Sequence, residues 1–344
     1  STVATMFSWL GSFGGFRRAG RRTNVALLIV LVGAAATGGL AFAVGTAIPA
    51  WLATVIHGLF GLAVVLLVPW KTVIVRRAPA LRAASLALVV LIALCVASGL
   101  FEVFIGYGLF WRLSPMQVHV GSAALAAPLL AWHVVRHRRQ RLRRLDLSRR
   151  TLLRTGALAA GVAATYGTLE GIGRLAGSAS ASRIATGSHY LSPGAAPATM
   201  WLFDQVPFVE TDHHVRVAGA ELTVADIRSR STAIWARLDC TSGWYTEAEW
   251  TGVSLADLLP PEHLAAAASI EVVSLTGYRR RFPADDAGSL YLATGYQGEP
   301  LQPAYGAPVR LVAPHRRGFW WVKWVASVQL SDLPAWGQSP FPLQ

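Results

Sequence analysis

The chain has 344 residues, of which 53% are hydrophobic and 14% are charged, and its formal net charge is +13. The charge divides unevenly: 19 Lys and Arg against 3 acidic residues give +16 in Ser1–Gly177, and 12 against 15 give −3 in Ser178–Gln344. A nucleic-acid-binding protein carries its basic residues on the folded domain. This composition excludes an ordinary soluble protein and argues against a nucleic-acid partner.

The N-terminal half contains runs that are long enough to span a membrane. Residues 1–22 form a short aromatic and arginine-bearing segment, which we expect to be interfacial. Residues 23–136 contain four apolar runs of roughly 20 residues, the length needed to cross a bilayer core. The four runs are Asn24–Val44, Trp51–Lys71, Ala83–Ile105 and Pro115–Val135. They predict a four-helix transmembrane module in contact with membrane lipid.

The loops between these runs alternate in charge, which predicts an orientation. Lys71–Arg82 is basic and Arg136–Arg154, which includes the predicted loop 137–150, carries nine arginines, whereas residues 45–50 are uncharged. The positive-inside rule places the basic loops and the N-terminus in the cytoplasm. The predicted location is therefore the cell membrane, multi-pass, with residues 178–344 outside the cytoplasm.

A fifth candidate span follows the basic loop. Ser148–Arg154 reads S-R-R-T-L-L-R and precedes Ala-, Gly- and Leu-rich sequence up to Gly177. This resembles a twin-arginine export signal, although chance within an arginine-rich loop would give the same letters. In the intact chain, residues 151–177 would be a fifth span. The predicted fold class is therefore multi-domain, with an all-α transmembrane bundle of about five spans followed by an α+β domain.

Three histidines lie within the predicted spans: His57, His119 and His133. His57 and His119 lie at matching depth, roughly 6–9 Å from the outer ends of their helices at 1.5 Å rise per residue. Imidazoles so placed on two helices can bind one haem iron. The spans offer no further ligand near the cytoplasmic side of the first three runs, so we predict one haem b and treat His133 and His137 as interfacial. The alternative is a pair of hydrogen-bonded histidines without iron.

Residues 178–344 read as one α+β domain with short strands separated by Gly and Pro turns. Leu255–Leu259 and His263–Ala268 are predicted to be helical. The predicted strands are His214–Val217, Ala233–Leu238, Ile270–Leu275, Leu290–Thr294, Val309–Ala313 and Trp324–Leu330.

This domain contains one of only two cysteines in the chain. Cys95 lies inside an apolar run, so it cannot pair with Cys240, which is therefore a lone thiol. A free cysteine is most often a small buried hydrophobe. The other interpretation is a thiolate ligand to a soft metal.

Four ordered blocks of the domain resemble the sulfite oxidase family of molybdopterin enzymes, over about Thr186–Asp332. The blocks are LDCTSGWYTEAEWTGVSLADLL (238–259), TGYRRRFP (276–283), LATGYQGEPL (292–301) and YGAPVRLVAPHRRGFWWVKWV (305–325). Absence of a dimerisation domain after the last block resembles the periplasmic methionine-sulfoxide reductases, which use a separate haem-bearing membrane partner. The resemblance departs at His315, where the family usually has a small residue.

The resemblance implies roles for particular residues. It implies that Cys240 is the thiolate ligand of molybdenum and the catalytic centre. It implies that Arg316, Arg317 and Lys323 hold the phosphate of molybdopterin, for which Arg is suited. His189 lies in a segment resembling one that meets the cofactor. Arg279–Arg281 would line an anion channel or form a solvated charge run.

Together these features predict a membrane-anchored molybdopterin oxidoreductase. It would transfer an oxygen atom to or from a small extracytoplasmic substrate of the sulfite or sulfoxide type. Electrons would pass through the haem at His57 and His119 to or from quinone or a cytochrome. The alternative is an accessory or structural subunit of a larger membrane electron-transfer complex, packed against other membrane subunits, with the molybdenum fold kept as a docking module.

Overall fold

The structure is a computed structural model of the chain. It describes residues 20–76, 83–109, 113–136, 149–199, 205–210 and 212–342. Most of the predicted interfacial segment 1–22, most of the loop 137–150, and His137 lie outside these residues. The chain forms two compact units, residues 1–42 with 47–187, and residues 188–344 with 43–46.

The first unit is helical. Its long helices are α1 (Arg21–Ala43), α2 (Ala47–Arg76), α3 (Ala83–Ile105), α4 (Pro115–Arg136) and α5 (Arg149–Leu175). The first four are long and apolar enough to cross a membrane, which confirms the predicted apolar helices. Helix α5 is as long, but within the described residues it is not among the helices that reach this apolarity. It is built largely of Ala, Gly and Thr, with arginines at both ends. A fifth span therefore stays a prediction.

Two helix pairs organise this unit. Helix α3 packs along α4, and α2 packs against α5. A short turn at Ala179–Ser182 then packs against α5 and α3. Arg183, which follows it, pairs with Glu170 of α5 at 2.6 Å, so the chain leaving α5 is tied back to the helices.

The second unit is built on two mixed sheets. The strands are β1 (His189–Tyr190), β2 (His214–Val217), β3 (Ala220–Thr223), β4 (Thr232–Asp239), β5 (Trp244–Ser254), β6 (Ser269–Ser274), β7 (Arg279–Pro283), β8 (Tyr291–Tyr296), β9 (Glu299–Pro300), β10 (Arg310–Val312) and β11 (Val325–Ser331). One sheet runs β1-β5-β8-β10, with β4 paired to β5 and β9 to β8. The other runs β3-β2-β11-β6-β7. Two short helices, α6 (Val224–Ser229) and α7 (Pro261–Ala266), complete the unit. This confirms the predicted α+β domain.

The central strand of the first sheet is β5. Its alternate residues Trp244, Thr246, Ala248 and Trp250 are buried, as a strand with one face on the core requires. All six predicted strands are present within a residue or two. Strand β5 was not predicted, because its outward residues and the preceding Ser-Gly turn resemble a loop. The helix predicted at Leu255–Leu259 is wrong, since only a three-residue 3₁₀ turn, Leu255–Asp257, forms there.

Candidate functional site

Cys240 lies in the tight connection between β4 and β5. Its backbone N–H donates to the Trp244 carbonyl at 2.8 Å, and the Gly243 N–H donates to the Cys240 carbonyl at 3.3 Å. Gly243 has a φ of 99°, a left-handed conformation that glycine adopts without steric cost. The Cys240 Sγ is buried and lies 3.1 Å from the Ser242 hydroxyl. The loop therefore holds the thiol in a defined place.

A buried ion pair lies beside this thiol. Arg317 Nη1 donates to Asp239 Oδ1 at 2.6 Å, and the Ser188 hydroxyl donates to the same oxygen at 2.7 Å. The side chains of Arg317 and Asp239 are only 5% and 9% exposed. The two backbones also form a β-bridge. Residue 317 is thus fixed against the residue that precedes Cys240.

The neighbouring Gly318 permits this close approach. A Cβ on Gly318 would lie 3.2 Å from the Asp239 carbonyl oxygen and 3.3 Å from Cys240 Cα, tighter than nearly all real Cβ contacts. Glycine at its first position therefore lets the turn Gly318–Trp320 lie close against the Cys240 loop. Sequence reasoning missed Gly318, although the R-R-G run at the end of the last block could have pointed to it.

Arg310 is a second buried guanidinium that sequence reasoning missed. It is 2% exposed, and its Cζ lies 4.9 Å from the Trp250 ring centroid and 5.6 Å from that of Trp321. Its Nη1 donates to the Tyr305 carbonyl at 3.0 Å. Burial lowers the pKa of Arg310 to about 10, and the nearby acidic groups of Tyr305, Tyr296 and Cys240 oppose that shift. A buried cation therefore lies within electrostatic range of the Cys240 sulfur.

Two of these arginines have unused hydrogen-bonding capacity. Arg310 Nε and Arg317 Nε are buried, and neither has a hydrogen-bond partner among the described residues. Buried polar groups nearly always have partners, and each exception calls for an explanation. An anionic ligand with several acceptor oxygens is the partner such groups favour.

The other predicted cofactor residues take different positions. His189 is buried on β1, and its backbone N–H donates to the Gly243 carbonyl at 2.9 Å, which joins it to the Cys240 loop. Lys323 Nζ donates to the Thr199 and Ala304 carbonyls at 2.9 and 2.7 Å. Arg316 instead pairs with Asp286 at 2.7 Å near the surface. The structure thus brings Arg317 and His189 to the loop that carries Cys240, directs Arg316 to a carboxylate, and holds Lys323 on two backbone carbonyls.

The departure at His315 has a backbone explanation. His315 has a φ of 63°, in the left-handed region that glycine enters freely and that non-glycine residues seldom occupy. Its side chain is exposed. A small residue suits position 315 because the left-handed backbone, and not a contact of the side chain, restricts which residues are favourable there.

The two predicted haem ligands are brought together in the helical unit. The ring centroids of His57 (α2) and His119 (α4) are 5.7 Å apart, with the rings at 87°. Nδ1 of His57 lies 2.9 Å from the Ala34 carbonyl, and Nδ1 of His119 lies 2.7 Å from the Cys95 carbonyl. A carbonyl only accepts, so each Nδ1 carries the proton and each Nε2 keeps its lone pair.

Glycines make room for both imidazoles. A Cβ on Gly38 would lie 2.9 Å from His57 Cε1, and a Cβ on Gly99 would lie 2.8 Å from His119 Nδ1. Each histidine therefore packs on a glycine of the helix that precedes its own. Within the described residues there is no cluster of three or more His, Cys, Asp or Glu that could hold a metal ion.

The C-terminal domain has recognisable relatives. Residues 204–338 match the family model of the oxidoreductase molybdopterin binding domain. This confirms, for that stretch, the prediction of an oxidoreductase domain of the molybdopterin type.

Named relatives agree with that domain. The catalytic subunit MsrP of protein-methionine-sulfoxide reductase from Xanthomonas axonopodis pv. citri is 31% identical over 116 residues, covering 28% of this chain and 35% of its own length. The uncharacterized oxidoreductase YuiH from Bacillus subtilis is 30% identical over 98 residues, covering 27% of this chain and 50% of its own length. The chain thus spans between a third and a half of these relatives.

A solved structure, the sulfane dehydrogenase SoxCD from Paracoccus pantotrophus, also matches. It is 24% identical, covers 37% of this chain and 40% of its own chain, and has a TM-score of 0.33.

Proposed function

We propose that this chain is a membrane-anchored, molybdopterin-dependent oxidoreductase that removes an oxygen atom from a small sulfoxide-type substrate outside the cytoplasm. The observation that carries the proposal is Cys240, a buried thiol beside the Asp239–Arg317 pair, inside the stretch that matches the molybdopterin-binding model. Cys240 differs from an ordinary core cysteine because a buried ion pair involves the residue that precedes it.

The residues around the thiol suit an anionic, sulfur-bound molybdenum cofactor. Cys240 would bind the metal as a thiolate, which is a soft ligand. Arg310 and Arg317 present buried guanidinium nitrogens with no other partner among the described residues. Lys323 and His189 would be further donors to the cofactor, and Arg316 would contribute by exchanging Asp286 for phosphate. When bound, the molybdenum centre supplies two-electron oxygen-atom transfer.

The chain's own contribution is positioning and exclusion of water. Asp239 holds Arg317, and their β-bridge fixes the residue before Cys240. Trp244, Trp250 and Trp321 are each at most 2% exposed and form an apolar wall around Arg310 and the Cys240 loop. Electrostatic interactions strengthen where water is excluded, so the buried cations would act strongly on bound anionic groups.

The sulfoxide direction rests on the MsrP relative, whose name states methionine-sulfoxide reduction. In that direction the substrate accepts two electrons and two protons and leaves as a thioether, with its oxygen released as water. A quinol supplies both electrons and both protons, and two equivalents of a reduced one-electron cytochrome with two solvent protons serve equally. Sulfite-type oxidation would run the electrons the other way, and parallel assays with both substrates separate the two.

The helical unit supports membrane anchoring and an electron route. Large apolar side chains on α1, α3 and α4, such as Ile29, Val90 and Leu125, are 55–63% exposed. Exposed apolar area on this scale in water would be an aggregation liability, whereas in lipid it is favourable. The orientation follows from the basic loops: the C-terminal domain lies outside the cytoplasm.

The histidine pair fits a single haem b. The observation behind this proposal is that the ring centroids of His57 and His119 lie 5.7 Å apart, so the two residues would each offer an imidazole to one iron. The Nδ1 contacts leave both Nε2 atoms as ligands, the arrangement that second-sphere carbonyls impose on metal-bound histidines. When bound, the haem iron supplies one-electron transfer between the quinone pool or a cytochrome and the molybdenum domain.

The test compares the same substitution at the two cysteines. Purified wild type and Cys95→Ser should contain stoichiometric molybdenum and pterin and reduce a sulfoxide with an artificial donor. Cys240→Ser should lose this activity because the soft ligand is gone. A folded chain that lacks molybdenum in all three proteins would overturn the enzyme and favour the accessory subunit.

A further inference from the structure

Three consecutive arginines occupy β7, and the middle one faces the protein interior. Arg280 is 0% exposed, whereas Arg279 is exposed. Arg281 lies 3.7 Å from Glu271 across the neighbouring strand and donates to the Gly337 carbonyl at 2.6 Å. The run is thus neither a solvated charge cluster nor an open anion channel at its centre, because Arg280 is enclosed.

Aromatic rings enclose Arg280. Its Cζ lies 5.2, 5.0 and 5.1 Å from the ring centroids of Tyr278, Phe319 and Trp320. Cations over aromatic faces are attracted by the ring quadrupole, more strongly when water is excluded. Among the described residues no carboxylate pairs with Arg280, and its Nη2 has no hydrogen-bond partner. The rings therefore take the place of an acidic partner.

The remaining guanidinium nitrogens connect two segments that are distant in sequence. Nε donates to the Tyr278 hydroxyl at 2.7 Å, and that hydroxyl donates to the Phe319 carbonyl at 2.6 Å. Nη1 donates to the Ser339 carbonyl at 2.7 Å. Arg280 thus joins the turn Gly318–Trp320 to the C-terminal segment through a fixed set of bonds.

This turn is the one that lies against the thiol loop. Gly318 approaches Cys240 Cα, and the preceding Arg317 carries the ion pair to Asp239. From this continuity we infer that Arg280 is a positioning residue for the Cys240–Arg317 site. It holds the Gly318–Trp320 turn so that Arg317 stays in register with Asp239 and the thiol loop stays closed. The inference rests on the proposed function only in what the site is for. The contacts that position the turn do not depend on it.

The test uses Arg280→Met and Arg280→Lys, with Arg279→Met as the matched control on the same strand. Methionine fills similar apolar space, and replacing a buried charge by an apolar residue is often tolerated. Lysine keeps the charge but lacks the planar fork that bonds Tyr278 and Ser339 together. Both variants should therefore fold while the turn loosens.

Two readouts report the turn and do not require bound cofactor. Native-state labelling of Cys240 by a thiol reagent, resolved from Cys95 by peptide mass spectrometry and compared at matched molybdenum content, should accelerate by about ten-fold or more in both Arg280 variants. Hydrogen exchange should rise in residues 316–322 and stay at the wild-type rate in β2 and β3. Arg279→Met should match wild type in both measurements.

Two outcomes overturn the inference. One is a lower unfolding midpoint with unchanged Cys240 labelling and unchanged exchange in 316–322, which would make Arg280 a general stabiliser. The other is wild-type behaviour throughout. Neither readout needs molybdenum. If the proposed function is wrong, purified wild type will lack the metal, while Cys240 will still be labelled faster in the Arg280 variants than in wild type.

Discussion

The Cys240 site and the His57–His119 site are held by different kinds of interaction. In the sheet domain, side chains from three distant parts of the sequence meet: Ser188, Asp239 and Arg317. In the helical unit, each histidine makes one contact to a backbone carbonyl and packs on one glycine. The first site is a buried charged network, whereas the second is a feature of helix packing.

The difference teaches which changes each site should tolerate. A buried ion pair that loses one partner leaves an uncompensated charge, so damage at the sheet site extends to the stability of the whole domain. Each imidazole contacts a carbonyl that belongs to a helix. When the imidazole is removed, that carbonyl stays hydrogen-bonded within the helix backbone. Damage at the helix site should therefore remove the ligand and little else.

The largest expected effect is loss of the proposed haem. His57→Ala and His119→Ala should each abolish the b-type α-band of the dithionite-reduced spectrum, because a single remaining imidazole cannot hold the iron on both sides. Unfolding of the C-terminal domain and its molybdenum content should not change. His133→Ala, on the same helix as His119, is the control and should keep the band. A full α-band in either ligand variant would show that the pair binds no haem.

The next effect belongs to the ion pair. Asp239→Asn should lower the free energy of unfolding of the C-terminal domain by about 3–5 kcal/mol, because Arg317 is left buried with its charge uncompensated. Denaturant titration followed by tryptophan fluorescence measures the change.

The Arg316–Asp286 pair provides the control. Its side chains are 35% and 31% exposed, so Asp286→Asn should cost only about 0–1 kcal/mol. Equal losses for the two carboxylates would remove the distinction between a buried network and a surface pair, and with it the comparison of the two candidate sites.

Sequence patterns predicted four of the long apolar helices and six of the eleven strands in the described residues, because these depend on local periodicity. The apolar runs gave α1 to α4, and six strands were found from short β-rich stretches. Strand β5 was missed because Thr246, Glu247 and Glu249 interrupt its apolar pattern. Its buried face becomes visible only when β4 and β8 pair on either side of it.

The sequence marks candidate site residues only where their chemistry is unusual for their surroundings. Cys240 stands out as a lone thiol, and His57 and His119 stand out as ionisable residues in apolar runs. Arg280 was marked only as part of an arginine run, and Arg310 carries no mark, since a charged residue in a strand is expected to face solvent. Their burial depends on rings contributed by Phe319, Trp320 and Trp321, which no local pattern connects to them.

The smallest expected effect lies at the edge of the sheet site and concerns pH. Tyr296 donates its hydroxyl to the Pro193 carbonyl at 3.0 Å and stacks on Tyr305. Burial, with a smaller contribution from the neighbouring Tyr305 phenol, raises the pKa of Tyr296 to about 12. The folded domain therefore keeps this proton at pH values where an unfolded tyrosine, with a pKa of about 10, loses it.

The sign of the pH effect follows from this proton. Stability from Tyr296 is fully present below about pH 10 and is lost as the pH rises towards 12, since the folded state binds more protons across that window. Tyr296→Phe should flatten the alkaline decline in the free energy of unfolding, although burial also raises the pKa of Tyr305, so part of the slope remains. Tyr291→Phe, on the same strand, controls for loss of a hydroxyl. A decline as steep in Tyr296→Phe as in wild type would mean that the phenol is solvated, and that the wall around Arg310 admits water.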